Sequence, residues 1–84
     1  MTRYTVVWHQ EARDELAQLW IEAQDRNAVT LAARAIDRDL AADAPEKGVP
    51  APDALRQLTA PPLRVLFAVS EPDRVAKILS VDTF

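Results

Sequence analysis

Arg64 stands alone in an apolar run, Leu63-Arg64-Val65-Leu66-Phe67-Ala68-Val69. A guanidinium there can grip a phosphate or a carboxylate through two parallel N–H bonds and can stabilise charge that builds in a transition state. Arg56, Arg74 and Lys77 lie in the same stretch of chain and join Arg64 as candidate contacts for an anionic partner. Each also has a plainer reading as a solvated surface cation, and Arg56 could join Arg64 across neighbouring strands. Hydrolytic or phosphoryl-transfer chemistry would need a base and an acid beside the cation, and a guanidinium, which stays protonated, is a poor base. Tyr4 and His9 are possible substitutes. Both precede the first helical segment, and no spacing argument sets them next to Arg64. His9, at a strand–helix junction, reads as structural, and Tyr4 reads as a packing residue. Glu11, Asp14, Glu15 and Glu22 could be taken for a metal-binding cluster, but helical spacing puts several of them on a solvated face, and no second histidine exists to join them.

Composition narrows the chemistry further. The chain has no cysteine, which removes disulfides, thiolate metal sites and cysteine nucleophiles. No metal or cofactor is expected. Leu, Ile, Val and Phe make up 22 of 84 residues, enough for a folded core but a thin one. The formal net charge is −3. Residues 1–53 carry six basic and ten acidic side chains, whereas residues 54–84 carry four basic and three acidic, so the second part is the better face for phosphate or acidic protein. Tight non-specific nucleic-acid binding needs more cations than this. No apolar run approaches a membrane span, and the N-terminus has no long apolar segment of the secretory kind. The expectation is one small cytoplasmic domain over residues 1–84, with a partner to complete or cover it.

The elements that must position these residues follow from periodicity. Residues 3–8 alternate and are rich in β-branched and aromatic types, which predicts a strand with Tyr4, Val6 and Trp8 on one face. Ala12, Leu16, Leu19, Trp20 and Ala23 recur at helical spacing and predict an amphipathic helix over 10–23. After the polar break Asp25-Arg26-Asn27, the positions Val29, Ala32, Ala33, Ile36 and Leu40 predict a second helix over about 27–42, capped by Asp25 or Asn27. Residues 44–53 hold three prolines and the only glycine and read as loop. Strands are predicted over 54–60, 63–70 and 74–82, the last two joined as a hairpin through Glu71-Pro72-Asp73. The order β-α-α-β-β-β predicts an α+β fold, a helical hairpin packed on one face of an antiparallel sheet, with Arg64 on the more open face. Trp8, Trp20 and Phe67 read as core, with Trp20 and Ile36 buried between hairpin and sheet.

Tyr4-Thr-Val-Val-Trp8, Glu11-Ala12, Leu16, Leu19-Trp20, Ala33, Ile36-Asp37, Leu55-Arg-Gln-Leu58, Pro62-Leu63-Arg64-Val65-Leu66-Phe67-Ala68-Val69 and Val75-Ala-Lys-Ile-Leu-Ser-Val81 together resemble the RelE/ParE superfamily of bacterial toxins. The resemblance implies the toxin half of a type II toxin–antitoxin system, wrapped by a cognate antitoxin that folds on binding and adds to an edge or groove of the sheet. RelE-like members cut mRNA on the ribosome, and ParE-like members inhibit DNA gyrase. Arg64 matches the strand arginine that RelE-like nucleases use near the scissile phosphate. Those nucleases carry further basic residues and a tyrosine beyond the last strand, where this chain has Asp82, Thr83 and Phe84. The departure tilts the expectation toward a ParE-like, non-enzymatic inhibitor. An mRNA endoribonuclease built on Arg64, an inactive member that retains only antitoxin binding, and a small interaction module are the alternatives.

Overall fold

The computed structural model describes residues 3–83. Its elements are β1 (Thr5–Trp8), α1 (Gln10–Glu22), α2 (Arg26–Asp43), β2 (Val49–Pro50), β3 (Arg56–Ala60), β4 (Leu63–Ser70) and β5 (Val75–Thr83), with short 3-10 turns at Ala44–Glu46 and Pro52–Ala54. The strands form one sheet in the order β1-β5-β4-β3-β2. The two helices pack on the same side of it, giving an α+β fold.

Local chemistry sets the helix ends. His9 Nδ1 accepts from the Glu11 N–H at 3.4 Å and Asp25 Oδ1 accepts from the Ala28 N–H at 3.0 Å, so each helix has a side-chain N-cap. The Arg26 guanidinium donates to the carbonyls of Trp20 (3.1 Å) and Ile21 (3.0 Å), two acceptors that the end of α1 leaves without helical partners. One residue thus closes α1 while beginning α2.

The core lies between hairpin and sheet. Phe67, Ile36, Leu40, Leu63, Ile78 and Val65 are its largest fully buried side chains. Leu63, Val65 and Phe67 alternate inward along β4, while Arg64, Leu66 and Ala68 face the other side, as period 2 requires. β5 needs one correction to its parity. Phe67 lies opposite Ile78 and Leu66 opposite Ser80, so Leu79 is the extra residue of a bulge. Ala76 and Ile78 point inward before the bulge and Val81 after it.

Four expectations change. The sheet is mixed, because β1 runs parallel to β5 with Thr5 beside Val75 and Trp8 beside Ile78. Parallel neighbours need a crossover, and here everything from α1 to β4 supplies it. The 44–53 loop contains β2, whose Val49 and Pro50 pair with Gln57 and Arg56 at the sheet edge, where a proline does no harm. The strand predicted from 54 begins at Arg56 because Pro52–Ala54 form a turn. Leu55 therefore falls outside the strand. Trp20, finally, is not core. It is 42% exposed, whereas Ile36 is fully buried.

Candidate functional site

Arg64 faces the open side of the sheet and has a partner. Asp82 lies directly across the β4–β5 ladder. The guanidinium meets its carboxylate with two parallel bonds, Nε to Oδ1 at 3.0 Å and Nη2 to Oδ2 at 2.8 Å. The hydrogen bonds and then the opposite charge hold the Asp82 carboxyl below its ordinary range, and the same partner raises Arg64 further. Both side chains stay accessible, at 39% and 59% relative exposure.

The other candidate cations do not gather round Arg64. Arg56 pairs with Phe67 in the β3–β4 register and so stands on the core-facing side, opposite to Arg64. Its guanidinium donates to the carbonyls of Lys47 (2.8 Å) and Gly48 (3.1 Å) and ties the β2 turn to β3. Arg74 lies in the β4–β5 turn with φ 53°, and its carbonyl accepts from the Thr5 N–H at 2.8 Å. Lys77 is exposed on the open face but pairs with Ala68, two ladder positions beyond the Leu66–Ser80 pair on the other side of the bulge from Asp82.

The acid–base candidates lie elsewhere. Tyr4 is buried against the core, with its N–H donating to the Ala41 carbonyl at 2.9 Å. His9 caps α1. The carboxylates of α1 are dispersed. Asp14 accepts from Gln10 and Glu22 from Gln18. Glu15 Oε1 reaches across to accept from the Val81 N–H at 3.0 Å, beside the β5 bulge. Sequence alone could not show this contact, since the two residues meet only once α1 lies on β5.

What sequence reading missed is a groove. Leu16, Ala17, Trp20 and Ile21 of α1, Val29, Thr30 and Ala33 of α2, and Trp8 of β1 line an apolar cleft of about 600 Å³ between the helices. Trp20 Nε1 donates to Thr30 Oγ1 at 3.2 Å, and the Arg26 guanidinium lies 4.8 Å from the Trp20 ring centroid. Trp8 Nε1 donates to Asp37 Oδ1 at 2.8 Å. Arg13 and Arg34 also line the cleft. Trp20 and Ile21 keep 42% and 57% of their surface exposed, large apolar areas for a small chain to leave in water. The signal was the run Leu19-Trp20-Ile21 at the end of α1, since three consecutive helical positions fan over about 200° and cannot all face the sheet.

No protein-family model and no curated protein sequence matches the chain. Solved structures do. A chain of the RelBE2 toxin–antitoxin complex from Mycobacterium tuberculosis superposes with a TM-score of 0.82 at 21% identity, covering 100% of this chain and 94% of that one. A chain of the chromosomal ParDE system from Pseudomonas aeruginosa gives 0.71 at 20% identity, covering 96% of each. TrmO from Pseudomonas aeruginosa gives 0.64 at 21% identity, over 98% of this chain but only 36% of that longer one. These likenesses define the class: two helices on a five-stranded mixed sheet, matching the RelE/ParE toxin structures. The chain has the RelE/ParE fold. A fold that also lies within TrmO does not by itself fix an activity.

Proposed function

We propose that this chain is the toxin of a type II toxin–antitoxin pair, inhibiting growth by binding a macromolecular target, DNA gyrase in the ParE-like manner, and neutralised by a cognate antitoxin protein inside the cell. Full-length likeness to chains from two toxin–antitoxin complexes supports the toxin reading. The apolar groove supports the partner, because an exposed Trp20 and Ile21 beside two arginines suit an apolar protein segment with acidic flanks. The observation that carries the non-enzymatic half is the engagement of Arg64. Its fork is filled by Asp82, Tyr4 is buried against the core and His9 caps a helix, so neither Tyr4 nor His9 stands beside the arginine as base or acid, and the Asp82 carboxylate is tied up in the pair. Arg64, Arg56, Arg74 and Lys77 are then secondary contacts at most, and the groove is the principal binding surface.

Inducible expression without the partner, with DNA and protein synthesis followed separately, tests the reading. Early loss of DNA synthesis, and no ribosome-dependent mRNA cleavage by the purified protein, is the expected outcome. The second reading is a RelE-like endoribonuclease, favoured by the greater likeness to the RelBE2 chain. Cleavage products that vanish in Arg64→Ala would establish it in place of the first. A protein that binds its antitoxin and is harmless without it would be an inactive member.

A further inference from the structure

We propose that Asp82 acts as an internal anion that fills the Arg64 fork and keeps phosphodiester ligands off the open face of the sheet. The proposal goes beyond the toxin reading and does not depend on it.

The open face would otherwise suit a phosphate. Thr59 lies directly opposite Arg64 on β3, and Gln57 and Ser80 flank Leu66 in the next row of the register. Hydroxyls and an amide around a guanidinium fork are the donors that a phosphate oxygen takes up. Asp82 supplies the competing acceptor from the opposite strand. Its two oxygens take the same pair of parallel bonds that a phosphate would take, at 3.0 and 2.8 Å. A carboxylate in that position acts twice. It occupies the donors, and it repels a second anion that approaches them, which is specificity obtained by disfavouring the wrong ligand. The neighbours do not relieve the repulsion, since Arg56 stands on the opposite face and Lys77 lies beyond the bulge. Both partners are accessible, so the pair is not protected from competition by burial.

Binding of a short fluorescein-labelled polyuridine strand, followed by anisotropy at fixed ionic strength, tests the proposal. Asp82→Asn should bind about tenfold more tightly than the parent, because a like charge has been replaced by a neutral amide. Asp82→Asn combined with Arg64→Gln should return to the parent's level. Glu71→Gln, in the exposed β4–β5 turn, changes net charge by the same amount and should leave binding unchanged. Titration with inorganic phosphate should move the Arg64 Nε–H resonance in Asp82→Asn and leave it still in the parent. Asp82→Ser provides a second variant if the amide disturbs folding, checked by circular dichroism. The proposal is overturned if neither Asp82 variant binds more tightly, if Glu71→Gln gains as much, or if the double variant keeps the gain.

Discussion

Trp20 shows how position changes what a residue is for. A fully buried tryptophan cut back to alanine costs about 3–5 kcal/mol. Trp20 is 42% exposed, so Trp20→Ala should cost only about 1–2 kcal/mol in urea titration while weakening binding of the proposed antitoxin at least about tenfold, as the loss of an aromatic anchor does. Unchanged partner affinity would remove the groove from the interface. Glu15 carries the opposite lesson. It looks like one acid among several on a solvated helix, yet it satisfies the Val81 N–H. Glu15→Ala should cost about 1–2 kcal/mol by leaving that donor without its partner, and Glu15→Gln, which keeps an acceptor oxygen, should cost less. Asp82 adds a pH dependence with a definite sign. Its folded-state pKa lies below the unfolded value, through hydrogen bonding to Arg64. The contribution of the pair is therefore whole above the ordinary carboxylate value of about 4 and is lost as pH falls through the lower, folded value. Acid titration followed by the Asp82 carboxyl carbon resonance should show the depressed midpoint, and Arg64→Gln should return it toward the ordinary range.

Among the elements, β4 was the most legible and β2 the least. Alternation from Leu63 to Val69 specified both the strand and its inward face, because each inward position is a large apolar side chain. Phe67→Ala should accordingly cost about 3–5 kcal/mol, measured by chemical denaturation. The helices were legible for the same reason, with Asp25 marking the start of α2. The direction of β1 was not legible, since a four-residue strand carries no mark of which neighbour it will pair with or which way that neighbour runs. β2 was hidden because two residues, one of them proline, show no periodicity at all. The only glycine does its work there. Gly48 has φ 69°, and a Cβ at that position would run into the Gln57 carbonyl of β3. Gly48→Ala should cost about 2 kcal/mol or more and loosen the edge that Arg56 ties down. For the candidate site, sequence supplied the lone Arg64 but not its occupant, because pairing with Asp82 depends on the β4–β5 register and on a bulge that only the folded ladder reveals.

At the scale of the whole molecule, the thin core and the open groove act together. A chain this small hides a modest share of its surface, so a partner that fills the groove adds substantially to its stability. The melting temperature of the chain should rise with the concentration of the antitoxin proposed as its partner, and Trp20→Ala should blunt that rise. The parallel pairing of β1 with β5 joins residues roughly seventy positions apart, the kind of long-range contact that slows folding. It also orders events during translation. Thr5–Trp8 are synthesised well before Val75–Ile78, the segment with which they must pair. A nascent chain halted before β5 holds both helices and β1 with no strand for β1 to join. Interrupted synthesis should thus yield fragments that are open to proteases and unable to present the groove that Trp8 helps to line. Completion of β5 is the step after which β1 can join the sheet and the groove can form.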